Sequence, residues 1–241
     1  TEAQRTQRGD RFFTGGGKGR SLLLLKEKHL TMTTTTLTQA ANRLLLENIS
    51  WQTYEALLKD LESQPGVRLT YDRGKLEIMT PLDPHETYSK LIGRFVETLT
   101  EELNIEIRSL GSRTCKREDL ARGLEPDECY YIQNESVVRH LEQIDLDRDP
   151  APDLAIEIDI TSSSINRLAL YAALGVPEVW RYDGSRLTIY QLEGGEYKIR
   201  DRSSTFPLIT SSEIIRFLEL RKSNGETALI RLFRKWVRNQ V

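Results

Sequence analysis

The sequence predicts a mixed α/β fold, a β-sheet flanked by α-helices, and three features lead there. Tyr88, Leu91, Ile92, Phe95, Val96, Leu99 and Leu103 form a single stripe at helical spacing, the mark of a long amphipathic helix. The run Asp153-Leu154-Ala155-Ile156-Glu157-Ile158-Asp159 alternates at the period of a strand, and a short helical pattern and a further strand follow it directly. Later β-rich segments are separated by Asp183-Gly184 and Gly194-Gly195, which are turn signals. No period of about 20–50 residues recurs, which excludes solenoids and propellers.

With 241 residues, 38% of them apolar and 29% charged, the chain can form one sizeable core. The net charge of -2 gives no overall basic footprint, so any nucleic-acid site must be local. No apolar run approaches the roughly 20 residues that cross a bilayer, and no membrane partner is expected. Cys115 and Cys129 lack the spacing of a zinc knuckle or a redox pair and read as reduced structural thiols, with a cytoplasmic location.

Residues 1–47 read as a flexible amino-terminal extension, with Arg5, Arg8, Arg11, Lys18 and Arg20 around a glycine run. Met32 is the expected biological start, which makes 1–31 a start-site artefact; a basic arm for DNA is the other reading. Leu22 to Leu25 are too few for the core of a signal peptide. The folded domain is expected over 48–210. Ser50 can cap a helix carrying Tyr54, Leu57, Leu58 and Leu61, which Pro65-Gly66 stops. Val67–Tyr71 and Lys75–Met79 then form a hairpin around Asp72-Arg73-Gly74. The long helix starts near Pro84, and its wheel turns His85 toward the apolar stripe and Glu86 away from it.

A strand is expected over 105–108, a β-rich segment after Glu125-Pro126-Asp127, and a loop with a short helix over 133–150. The 161–164 segment supplies a cap for a helix carrying Ile165, Leu168, Ala169 and Ala172 and closed by Gly175. Strands follow at 179–182, 186–191 and 197–200. Residues 211–241 hold two amphipathic helical segments, packed on the domain or extending it, whose stripes serve core or interface.

The chemistry concentrates on the strand at Asp153. Leu154, Ile156, Ile158 and Ile160 line one face; Asp153, Ala155, Glu157 and Asp159 line the other. A half-buried edge strand with a solvated face gives this pattern too. The density of carboxylates points instead to a cation, because like charges on one face repel unless water or an ion separates them. Asp153 and Glu157 lie about 13 Å apart on a straight strand, too far to share one ion at about 2.1 Å from each. Asp127 lies opposite Glu157 if the two segments pair antiparallel, so Asp127 with Glu157 is the expected metal pair. Asp153 joins them through a bent strand or else braces the neighbouring loop.

The run from Pro152 to Ile158, continuing through Ser162-Ser163-Ser164 to Tyr171-Ala172-Ala173-Leu174-Gly175-Val176-Pro177-Glu178-Val179-Trp180, resembles the bacterial Uma-two family of restriction endonucleases in the PD-(D/E)xK nuclease superfamily. Pro126-Asp127, the Gly74 hairpin and His85 at a helix start match as well, over about residues 50–200. The resemblance implies a restriction-endonuclease-like core and Mg²⁺-dependent, or Mn²⁺-dependent, endonuclease hydrolysis of DNA or other nucleic acid, and it allows a homodimer. With such a core, the expected catalytic residues are Glu157 and Asp127, which hold the metal with Asp153 as a further candidate ligand, Arg167, which counters developing charge, and His85, which orients the phosphate or a water.

Two residues depart from the family pattern. Asp159 stands where the superfamily motif has a lysine, and Arg167 stands where members carry a compensating lysine four residues before the tyrosine. Arginine can pair with phosphate but cannot act as a base. A weakened or inactive nuclease-fold protein, acting in nucleic-acid binding or protein interaction, is therefore the alternative reading, and an unrelated metal-binding α/β protein a third. Arg167 also fits a solvated helix residue, and His85 a hydrogen-bonded core histidine. The GxxxxGKS, GxGxxG and GxSxG motifs are absent, which leaves nucleotide hydrolysis, dinucleotide binding and serine-hydrolase chemistry without support.

Overall fold

The amino-terminal strand β1 (Asn42–Leu46) lies inside the segment read as an extension, and it pairs antiparallel with β3 (Lys75–Thr80). A computed structural model describes residues 42–64, 66–161 and 163–240. The expected start at Met32 and the basic arm lie outside the described residues. Ser50 caps α1 (Trp51–Asp60) by accepting from the Thr53 amide. β2 (Arg68–Asp72) and β3 form the expected hairpin, with Arg73 and Gly74 both at positive φ as a primed turn requires.

The apolar stripe forms α2 (Asp83–Leu103), which buries Leu91, Ile92, Phe95, Val96 and Leu99. As the wheel indicated, His85 is buried and Glu86 is not. The strand expected at 105–108 shrinks to β4 (Arg108–Ser109), and two three-residue strands without a sequence signal follow, β5 (Cys115–Arg117) and β6 (Arg122–Leu124). Then come β7 (Glu128–Tyr131), α3 (Glu135–Val138), β8 (Leu154–Ile158), α4 (Arg167–Leu174), β9 (Glu178–Tyr182), β10 (Leu187–Glu193) and β11 (Glu196–Arg200). The chain ends in α5 (Ser211–Leu220) and α6 (Glu226–Arg238). The cap of α4 is Asn166, which accepts from the Ala169 amide, and not a serine of the preceding run. Gly175 closes that helix in the left-handed region, as expected.

Two sheets form where the sequence suggested one. A six-stranded mixed sheet runs β11-β10-β9-β8-β7-β4, and a five-stranded sheet runs β1-β3-β2-β6-β5. β8 is an inner strand, antiparallel to β7 and parallel to β9, and all five of its residues are buried. That removes the edge-strand reading. Leu154, Ile156 and Ile158 share a core with the apolar faces of α2, α5 and α6. On the opposite face Ala155 packs with Leu170, Tyr171 and Leu174 of α4, together with Cys115 and Leu124 from the smaller sheet. Both cysteines are free and buried. Trp51, Tyr54, Leu69, Tyr71 and Leu76 build a separate core between α1 and the smaller sheet. Among the described residues no helix is long and apolar enough to cross a membrane.

Candidate active site

The antiparallel register of β7 and β8, with Glu128 opposite Ile156, places Asp127 across from Glu157. The Asp127 amide donates to the Ile156 carbonyl (3.1 Å), and its Oδ2 accepts from the Ile158 amide at 2.7 Å. Glu157 points toward α4, where Arg167 and Tyr171 stand one turn apart on one helix face. Arg167 Nη2 and the Tyr171 hydroxyl both donate to Glu157 Oε2, at 2.8 and 2.7 Å, and Arg167 Nε lies 2.5 Å from Oε1. That last contact is one of charge, since Nε is not aligned for a hydrogen bond. Nη1 donates to Thr70 Oγ1 (2.5 Å) and Nη2 to the Glu125 carbonyl (2.7 Å). Arg167 therefore bridges the two sheets; it is not a solvated helix residue.

Burial sets the protonation states. It pushes the Asp127 carboxyl well above its ordinary range, and the neighbouring Glu157 charge adds to this while Arg167 opposes it. For Arg167 burial alone would disfavour the cation, but Glu157 overrides that and holds it protonated. Burial, then Glu157, pushes the Tyr171 phenol up, so it remains a proton donor. His85 moves the other way: burial lowers its pKa and keeps the imidazole neutral, against the pull of Glu157. Its Nε2 lies 3.4 Å from Asp127 Oδ2, yet neither ring nitrogen has a hydrogen-bond partner among the described residues.

This donor set suits a hard divalent cation. Asp127, just before β7, and Glu157 of β8 are buried carboxylates, the Glu157 charge raises the cost of ionising Asp127, and the His85 imidazole stands beside them. Among the described residues no three His, Cys, Asp or Glu side chains form a metal cage. Mg²⁺ does not need one, because it is commonly held by one or two carboxylates with water and phosphate oxygens.

Asp153 is not brought to this place. At the other end of β8 it accepts from the Ile132 amide (2.6 Å), the Asn134 amide (2.9 Å) and Asn134 Nδ2 (2.6 Å). It braces the loop after β7, and β8 does not bend to deliver it as a ligand. Asp159, in the lysine position, pairs with Arg181 of β9. Both line a cavity of about 310 Å³ together with Glu157, Arg167 and Tyr171.

Three residues of this neighbourhood had no local signal. Thr70 and Glu125 hold Arg167 from the smaller sheet. Glu77 of β3, 2% exposed, accepts from Arg43 Nη1, Ser163 Oγ and the Ser164 amide, each at 2.8 Å. It fastens the segment before α4 to the smaller sheet. In sequence Glu77 is one acid between apolar neighbours, which reads as the solvated face of a strand.

Against known proteins, residues 51–221 match the profile of the Uma2 family, described as "Putative restriction endonuclease". No curated protein matches the chain. Among solved structures it is similar to the "Crystal structure of a putative nuclease belonging to DUF820 from Anabaena variabilis ATCC 29413", at 15% sequence identity over 61% of this chain and 89% of that one, with a TM-score of 0.44.

Proposed function

Since the chain belongs to the Uma2 family of restriction-endonuclease-type proteins, we propose that it is an endonuclease that hydrolyses phosphodiester bonds in DNA with a divalent cation, Mg²⁺ or Mn²⁺, held by Asp127 and Glu157. The observation that carries this reading is the meeting of Asp127, Glu157, Arg167 and His85 at one end of the β7–β8 pair. When bound, such a cation lowers the pKa of a water molecule and polarises a phosphate oxygen. The chain's own groups have separate tasks. Arg167 and Tyr171 fix the Glu157 carboxylate in one orientation. Arg167 stays charged and cannot take a proton, so it serves as a counter-charge and not as a base. Neutral His85, whose Nε2 lies 3.4 Å from Asp127 Oδ2, can hydrogen-bond a water or a phosphate oxygen beside Asp127.

The test is incubation with supercoiled plasmid and with single-stranded DNA in Mg²⁺ or Mn²⁺. Wild type is expected to cut, and EDTA to stop it. Glu157→Gln and Asp127→Asn should each lower the rate about a hundredfold or more. Cleavage that survives Glu157→Gln refutes the site. A specific observation favours a second reading, a nuclease-fold protein that binds without cutting: Arg167 and Tyr171 already engage both Glu157 oxygens, and Asp159 replaces the motif lysine. Wild type that binds DNA in these assays and never cuts it supports that reading.

A further inference from the structure

We propose that Arg68 is a phosphate anchor, gripping the nucleic-acid backbone in the groove between α1 and the start of β2. The inference rests on the nuclease reading for the identity of the ligand and adds to it the residue that holds the strand.

Arg68 opens β2, on the smaller sheet. Its side chain is 15% exposed, and its Nε is buried with no hydrogen-bond partner among the described residues. The ionic neighbour is Glu86 at 3.7 Å, beyond hydrogen-bond length, and that carboxylate is itself 45% exposed. A guanidinium carries five donors and no acceptor. Holding one so, with its stem packed and its donors unspent, is unfavourable unless an acceptor arrives from outside.

The groove it lines measures about 1040 Å³. This is just above the roughly 300–1,000 Å³ of small-ligand sites, which suits a polymer strand better than a small molecule. Of the other cations there, Lys59 is exposed at the end of α1, and the remaining two are committed. Lys116 pairs with Glu55, Arg113 donates to the Ile144 carbonyl, and Glu125 accepts from the Leu69 amide and Thr114 Oγ1. Arg68 lines this groove, and its charge also reaches Asp127 and His85 and favours their deprotonated forms. Its planar fork matches phosphate oxygens in a bidentate way, as an ammonium does not. Arg167, spent on Glu157, Thr70 and Glu125, has no such freedom.

The experiment measures binding of a short fluorescein-labelled single-stranded DNA by anisotropy, in EDTA, over a range of salt. Arg68→Met is expected to weaken binding about tenfold and to lower the slope of log affinity against log salt by about 0.7, the share of one phosphate contact on a single strand. Arg68→Lys should keep the slope and still bind more weakly, and it serves as the reporter if the methionine variant does not fold. Lys222→Met, which removes a charge outside the groove, should bind as wild type. Unchanged affinity and slope in Arg68→Met overturn the inference, and the nuclease reading stands if wild type still cuts. Arg68-dependent binding by a protein that never cuts overturns the nuclease activity and leaves the anchor in place. No binding by wild type overturns the anchor.

Discussion

Asp127 is the residue whose chemistry depends most on its surroundings. Burial and the Glu157 charge hold its carboxyl above the ordinary 3.8. Above that pH the folded protein therefore binds more protons at this position than the unfolded chain, and stability falls as pH rises toward the folded pKa. Asp127→Asn removes this penalty and keeps an oxygen for the Ile158 amide. In EDTA the variant should be more stable than wild type at neutral pH, and the gap should widen in urea titrations as pH rises above 3.8 toward the folded pKa. Added Mg²⁺ should raise the midpoint of wild type and leave the variant unmoved. A variant less stable than wild type at every pH would show that the carboxylate is not under strain. The sequence had pointed to Asp127 and Glu157 as the pair, because antiparallel register is simple to extrapolate. It could not place Arg167, since Thr70 and the Glu125 carbonyl, which hold it, are distant in sequence and meet it only through the packing of α4 on the smaller sheet.

Among the elements, α2 was the most legible and is also the one that carries His85. The helix approaches β7 closely at Gly93, where a Cβ would stand 2.8 Å from the Tyr130 hydroxyl and 3.5 Å from the Glu128 side chain. Alanine there gains about 1 kcal/mol in helix propensity, whereas overpacking against a buried ring costs about 1–3 kcal/mol. Gly93→Ala is expected to be destabilised by about 1 kcal/mol on balance and to cut less well, because α2 must shift and take His85 with it. The Tyr130 hydroxyl is buried without a partner among the described residues, so Tyr130→Phe should relieve the clash. A urea-unfolding double-mutant cycle reads this coupling directly, and strictly additive effects would discount the close approach. β5 and β6 escaped notice for a related reason. Three-residue strands carry no periodicity, and only the pairing of β6 with β2 and of β5 with β6 makes them strands. Likewise the serines before α4 look like a cap, but Ser163 and Ser164 are engaged by Glu77, and Asn166 does the capping.

Over the whole molecule, the carboxy-terminal helices belong to the main core. Phe233 of α6 packs at a tilt on Phe95 of α2 (4.6 Å between centroids) and edge-to-face with Phe217 of α5 (4.9 Å). That core includes Ile156 and Ile158, which flank Glu157 on β8. Phe233→Ala should cost about 3–5 kcal/mol, much of the roughly 5–15 kcal/mol that holds a domain folded. The loss should lower the urea midpoint of the entire protein in a single transition. A wild-type transition for the sheet, with only the last helices frayed, would make α5 and α6 an appendage instead.

By itself the sequence determined the α/β class, the long helix, the hairpins and the acidic strand, because periodicity and turn residues are local properties of the chain. It also selected Asp127 and Glu157, since strand spacing limits which acids can share an ion. The tertiary structure decided what no local pattern encodes: that β8 is an inner strand, that Asp153 braces a loop, and that Arg167 is locked between two sheets while Arg68 is not. Each of these turns on which distant residue supplies the partner for a buried charge, and a buried charge takes its meaning from that partner.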